Sequence, residues 1–261
     1  NQVPWQYIFG RGLTIFIILN LYLYFEEGTK FWKNYLKIGK SGIIGGSGLG
    51  IAMISFIYSI TNTTAAVTLL CLAAMPFFTA LLAFIFLKEQ ISINVWISII
   101  IATIGIIIMA FGNTEENSLI GFIFGITSSV GFSIFSVTLR WRKETPKFTT
   151  VAFAGLFCFV FASIMILTKE QVFFSSSYNS SLFSLHGTLV CLGLILYSIG
   201  SKAIPAAELT LLSLTEVIGG IFWVWLPLFG INEVPDTNTI IGGFFLFISL
   251  FYYSLIMRWN K

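Results

Sequence analysis

Chemistry in this chain centres on one carboxylate. Glu216 lies in the apolar run Leu209 to Phe229, which holds no Lys or Arg. A charge at mid-membrane costs at least about 2.5 kcal/mol on insertion scales, so an ionisable group there defaults to a substrate or proton pathway. The plainer alternative is a carboxylate that is protonated, or paired with a neighbouring helix, and only packs. Glu208, near the cytoplasmic end of the wider span 206–229, is expected to meet interfacial water. Arg11 sits just inside the first apolar run. A long cation there either snorkels to the interface or pairs with a substrate carboxylate or an acidic side chain.

Other residue types carry less. His186 is the sole histidine, and metal sites generally need several converging His, Cys or carboxylate ligands. Cys71, Cys158 and Cys191 are far apart, without CxxC spacing, and read as buried thiols. The stretch Ser41 to Gly50, SGIIGGSGLG, superficially resembles a phosphate-binding loop. It lies inside an apolar run with no strand before it, so its glycines at spacing four read instead as a surface for close helix approach. Gly121 and Gly125 repeat that device. Tyr58 and Tyr197 each open a Tyr-Ser-Ile triplet and would close opposite mouths of a pathway or sit in an interfacial aromatic belt. Trp223 and Trp225, two apart, cannot share a helix face, so at most one lines a cavity. Pro76 and Pro227 remove helix hydrogen bonds; Pro76 falls mid-run and is the better hinge candidate.

The elements that hold these residues follow from composition. Of the 261 residues, 57% are hydrophobic and 10% charged, with a mean hydropathy of +0.92. A soluble domain carries about 25% charged residues, so there is too little polar surface here to coat a water-soluble globule. Nine apolar runs are legible, at 7–25, 39–60, 65–87, 92–111, 118–139, 149–167, 182–200, 206–229 and 238–257. Each suits a membrane helix, which satisfies its own backbone polar groups; the runs do not alternate as barrel strands do. No basic segment precedes the first run, so no cleavable signal peptide is expected.

Charge sets orientation. Lys30, Lys33, Lys37, Lys40, Lys88, Arg140, Arg142, Lys143, Lys147, Lys202, Arg258 and Lys261 all fall on one side of nine spans. The other side holds Lys169 with Glu115, Glu116, Glu170, Glu233 and Asp236. The positive-inside rule then puts the basic side and Lys261 in the cytoplasm. The net charge of +3 is therefore topological, and no basic stripe with stacking aromatics points to nucleic acid.

The runs Asn62–Glu89 and Pro205–Glu233 share one plan, small residues, a long apolar stretch and then Glu, and cross in opposite directions. That predicts an inverted repeat, a signature of secondary transporters with a mid-membrane site. Four spans precede Ser118 and five follow, so one helix before Asn1 is expected to be missing from the first half. The sequence here resembles the EamA-type transporters of the drug/metabolite transporter superfamily. The resemblance rests on Phe9-Gly10-Arg11-Gly12-Leu13, Ala65-Ala66, Pro76, Leu87-Lys88-Glu89 and Gly105 in the first half. In the second half it rests on Leu214-Thr215-Glu216-Val217, Trp223-Val224-Trp225, Asn232-Glu233-Val234-Pro235 and Gly242-Gly243. It implies an all-α membrane protein of ten helices in two inverted five-helix repeats, here 1–114 without its first helix and 115–261. It also implies carriage of small metabolites such as amino acids across the cytoplasmic membrane, with no cofactor.

The resulting expectation is a multi-pass secondary transporter, not an enzyme, moving an amino acid, amine or related compound by alternating access, with proton coupling as an option. Glu216, Arg11, Tyr58, Tyr197, Trp223 and Pro76 are its candidate binding or coupling residues. Its expected partners are the substrate and the bilayer, with homodimerisation left open. The rival readings are a channel or a non-transporting accessory subunit. A membrane-embedded enzyme would need a nucleophile–base pair or a metal cluster that these residues do not offer.

Overall fold

The computed structural model describes residues 4–63, 65–112, 119–142, 144–174, 176–226 and 237–259. Among the described residues all regular structure is helical. The chain forms α1 (Pro4–Glu27), α2 (Lys33–Lys37), α3 (Gly39–Asn62), α4 (Ala65–Leu72), α5 (Met75–Leu82), α6 (Ile93–Gly112) and α7 (Leu119–Trp141). It continues with α8 (Lys147–Thr168), α9 (Ser177–Gly200), α10 (Ala206–Leu212), α11 (Leu214–Trp225) and α12 (Thr237–Trp259). Six helical stretches are long and apolar enough to cross a membrane: Trp5–Lys30, Gly39–Asn62, Val67–Leu87, Leu119–Trp141, Lys147–Thr168 and Ser177–Gly200. Ile93–Ile108 and Ile240–Ile256 are shorter apolar helices. The protein is thus an all-helical, multi-pass membrane protein.

Two of the nine runs read as continuous are in fact broken. The run 65–87 divides into α4 and α5 at Ala73 and Ala74, and ends in a π-helical turn at Ala83–Leu87. Pro76 explains the first break, because it has no N–H to give and fits only the opening turn of a helix. The run 206–229 divides at Ser213, whose side chain turns back onto the Thr210 carbonyl at 2.7 Å. Such local side-chain bonds compete with helix continuation. Glu115, Glu116, Lys143, Pro227, Glu233, Asp236 and Lys261 lie outside the described residues, as do the side chains of Trp225 and Arg258.

The chain folds as two compact units, each drawn from both halves of the sequence. The first comprises 1–57 and 134–204, the second 58–133 and 205–261. In the first unit α1 packs along α8 and α9. Gly12 and Gly155 face one another there: a Cβ on either would sit 2.9 Å from the other's carbonyl oxygen. Gly46 and Gly50 of α3 meet Phe153 and Phe157 of α8, so the glycine spacing does serve close helix approach.

In the second unit α12 packs along α6, and Gly105 lies where a Cβ would stand 2.7 Å from the Gly242 carbonyl. The two broken helices lie side by side in this unit, α10 against α5 and α11 against α4. First half meets second half, so they run antiparallel.

Candidate substrate pathway at the broken helices

Breaking a helix frees carbonyls that a bilayer cannot hydrate, so protein groups must satisfy them. At the α4–α5 break α7 adds side-chain hydrogen bonds to backbone carbonyls on either side of it. The Ser129 hydroxyl donates to the Cys71 carbonyl, and the Ser133 hydroxyl to the Met75 carbonyl at 3.1 Å. Both serines are buried and stand four residues apart, on one helix face. Gly125, one turn earlier, lets α7 approach closely, since a Cβ there would be 2.7 Å from the Cys71 side chain. Sequence reasoning passed over both serines. Pro76 marked a break in advance, but not which helix would pack its hydroxyls against it.

At the α10–α11 break the notable residue is Glu216. It occupies the first turn of α11, its backbone N–H bonding the Ser213 carbonyl at 2.9 Å. A carboxylate there faces the positive end of the helix dipole. Its side chain is exposed and makes no hydrogen bond or ion pair among the described residues. A carboxylate that is open to a ligand, at a helix start and in an apolar segment can take up a proton or a cation. Glu208, by contrast, is engaged: the Tyr253 hydroxyl of α12 donates to it at 2.6 Å.

Four of the six candidate residues fall in this second unit. Pro76 is buried at the start of α5. Tyr58 is half-buried, its ring 5.1 Å from that of Phe124. Trp223, on α11 with Glu216, is 53% exposed and meets Phe222 edge-on.

Arg11 and Tyr197 belong to the first unit. Arg11 does not snorkel. It is buried on α1 and donates from Nη2 to the Met53 carbonyl of α3 at 2.5 Å, with Nε left unpartnered. No carboxylate pairs with it among the described residues. Tyr197 is half-buried, hydrogen-bonds the Ser136 hydroxyl and stacks on Phe135. His186 pairs with the Tyr7 hydroxyl at 2.5 Å, a structural contact, and no metal-binding cluster exists among the described residues. The three cysteines are free and buried.

Residues 2–111 match the model of the EamA-like transporter family. Two proteins of Helicobacter pylori, each named an uncharacterised transporter, are similar across the same extent. That of strain J99 is 25% identical over 84% of this chain and 76% of its own length. That of strain 26695 is 24% identical over the same shares. A solved crystal structure superposes with a TM-score of 0.77 at 13% identity, covering 100% of this chain and 91% of that one. At that identity the likeness speaks for the fold alone. The EamA-family match over residues 2–111, the transporter relatives and the membrane-length helices together support a membrane transporter of EamA type.

Proposed function

We propose that this EamA-type membrane transporter is a secondary carrier for a small cationic or amine-bearing metabolite, an amino acid, amine or related compound, with Glu216 as its coupling carboxylate. The observation that carries this reading is the exposed Glu216, without a hydrogen-bond or ion-pair partner among the described residues, in the first turn of α11 beside a helix break. Discontinuous helices paired between repeats are where secondary transporters bind substrates and coupling ions. The exchange of partners supports an inverted repeat: a two-fold axis carrying α4–α5 onto α10–α11 turns the α5·α10 contact into the α11·α4 contact, and both are present. The nine spans of the sequence reading, in cytoplasmic-membrane orientation, complete the proposal.

Protonated Glu216 would be neutral and could wait in an apolar segment. Ionised, it could hold a cationic substrate in the proton's place. That exchange couples the two movements, and alternating access would carry each state across. The test is counterflow in liposomes under an imposed pH gradient, with a substrate first found by thermal-shift screening of metabolites. Glu216→Gln keeps the size and removes the titration. It should bind and fold as before but lose pH-dependent transport. Transport by Glu216→Gln that matches the wild type across the pH range would reduce Glu216 to a packing residue.

A further inference from the structure

Away from the broken helices, the first unit holds a cavity of about 260 Å³ where α1 ends and α8 begins. Glu26, Glu27, Asn34, Lys147, Phe148 and Lys202 are among the residues that line it. Its charges are kept apart. The ionisable groups that act on Lys147 are Lys202 and Arg140, and its ammonium donates to the neutral Ser201 hydroxyl at 2.8 Å. Glu27 accepts from the Asn34 amide at 2.7 Å. Neither carboxylate forms an ion pair with either lysine among the described residues, although all four line one cavity. A surface ion pair across this space would gain at most about 1 kcal/mol. An arrangement that brings two cations and two carboxylates to one cavity without pairing them suits a ligand bearing both signs.

Depth in the membrane narrows the ligand. One apolar span ends at Lys30 and another opens at Lys147, so the cavity lies at the level of lipid headgroups. Beside it Phe25 is 82% exposed and Leu36 of α2 is 75% exposed, apolar surface at the same boundary. Gly28 and Gly39, both in the left-handed region at φ +64° and +60°, bracket α2 with turns that favour glycine. Basic pockets at such a level bind lipid headgroups. Carboxylates add a demand that a purely anionic headgroup does not meet.

We propose that this cavity binds a zwitterion that carries a phosphate and a primary ammonium group, the chemistry of a phosphatidylethanolamine headgroup. Lys147 and Lys202 take the phosphate; Glu26 and Glu27 take the ammonium. The site lies wholly within the first unit and does not depend on the role given to Glu216.

The experiment is native mass spectrometry of the full chain, titrated in detergent with phosphatidylethanolamine, phosphatidylcholine or phosphatidylglycerol. Parallel titrations use soluble phosphoethanolamine. A quaternary ammonium has no N–H to donate and phosphatidylglycerol has no cation, so both should bind at least about tenfold more weakly than phosphatidylethanolamine. Glu27→Gln should erase the preference for phosphatidylethanolamine over phosphatidylglycerol. Lys202→Ala should weaken both lipids by about tenfold. Glu27 and Lys202 are exposed, so both variants retain the fold, which circular dichroism checks. Binding of soluble phosphoethanolamine with the same dependence on the two variants also upholds the site and identifies a free zwitterion as its source. Equal retention of the three lipids, variants that leave the preference intact, or no binding of any probe overturns it.

Discussion

At the residue scale, the sequence reveals a group that is costly where it stands and hides a group that repairs. Glu216 stood out in the sequence because an ionisable group in an apolar run is costly. Ser129 and Ser133 did not, since a serine in a membrane helix reads the same whether it bonds its own turn or a neighbour. The structure separates the two cases. Ser163 returns its hydroxyl only to the Phe159 carbonyl four residues back, whereas Ser129 and Ser133 reach carbonyls on either side of the α4–α5 break, Ser133 in addition to the Ser129 carbonyl of its own turn at 2.8 Å. Interhelical hydrogen bonds in membranes average about 0.6 kcal/mol and reach about 1.7 kcal/mol. Ser129→Ala and Ser133→Ala should therefore each lower unfolding stability in detergent by about that range, with Ser163→Ala costing less. If Ser163→Ala costs as much as the other two, the bonds from α7 to the broken helix add no stability beyond that of an own-turn bond.

At the element scale, hydropathy found the helices but not their interruptions. A window of about 20 residues reports the mean apolarity that membrane crossing requires, and a break changes that mean little. Pro76 marked one break in advance; Ser213 carries no such mark, because serine breaks a helix only when its hydroxyl turns back onto the backbone. The glycines of α3 were read correctly as contact positions, whereas which helix they meet is a matter of tertiary structure. Gly155 makes the contact testable. A methyl group at Gly155 would stand 2.9 Å from the Gly12 carbonyl oxygen and 3.0 Å from the Phe16 nitrogen, both backbone atoms that cannot swing aside. Gly155→Ala should force α1 and α8 apart and destabilise by about 1–3 kcal/mol, the range for overpacking. Gly193→Ala on α9, with nothing within 4 Å of the new methyl, should be neutral by the same thermal unfolding assay. Equal melting of the two variants would mean that α1 and α8 are not held at this distance.

At the scale of the whole molecule, proximity and chain order part company. The two compact units join 1–57 to 134–204 and 58–133 to 205–261. No linear reading of composition yields that pairing, because helices of equal apolarity are interchangeable until their packing surfaces meet. Membrane orientation is different, since charge in the loops decides it and loops can be read in order. Lys30, Lys33, Lys37 and Lys40 follow α1 or open α3, while Arg140 closes α7 and Lys147 opens α8. Lys202 follows α9, and Lys169, past the far end of α8, stands beside Glu170. Short loops rich in lysine and arginine are retained in the cytoplasm. Loops 26–40 and 140–147 should therefore be cytoplasmic and 169–181 external. The measurement is labelling of single cysteines by a membrane-impermeant maleimide in intact cells, with Cys71, Cys158 and Cys191 replaced by serine. Lys33→Cys should label only after the membrane is opened, and Tyr178→Cys, 72% exposed at the start of α9, should label at once. Labelling of Lys33→Cys in intact cells would invert the orientation. It would also place the zwitterion cavity, lined by the same basic end, in the outer leaflet.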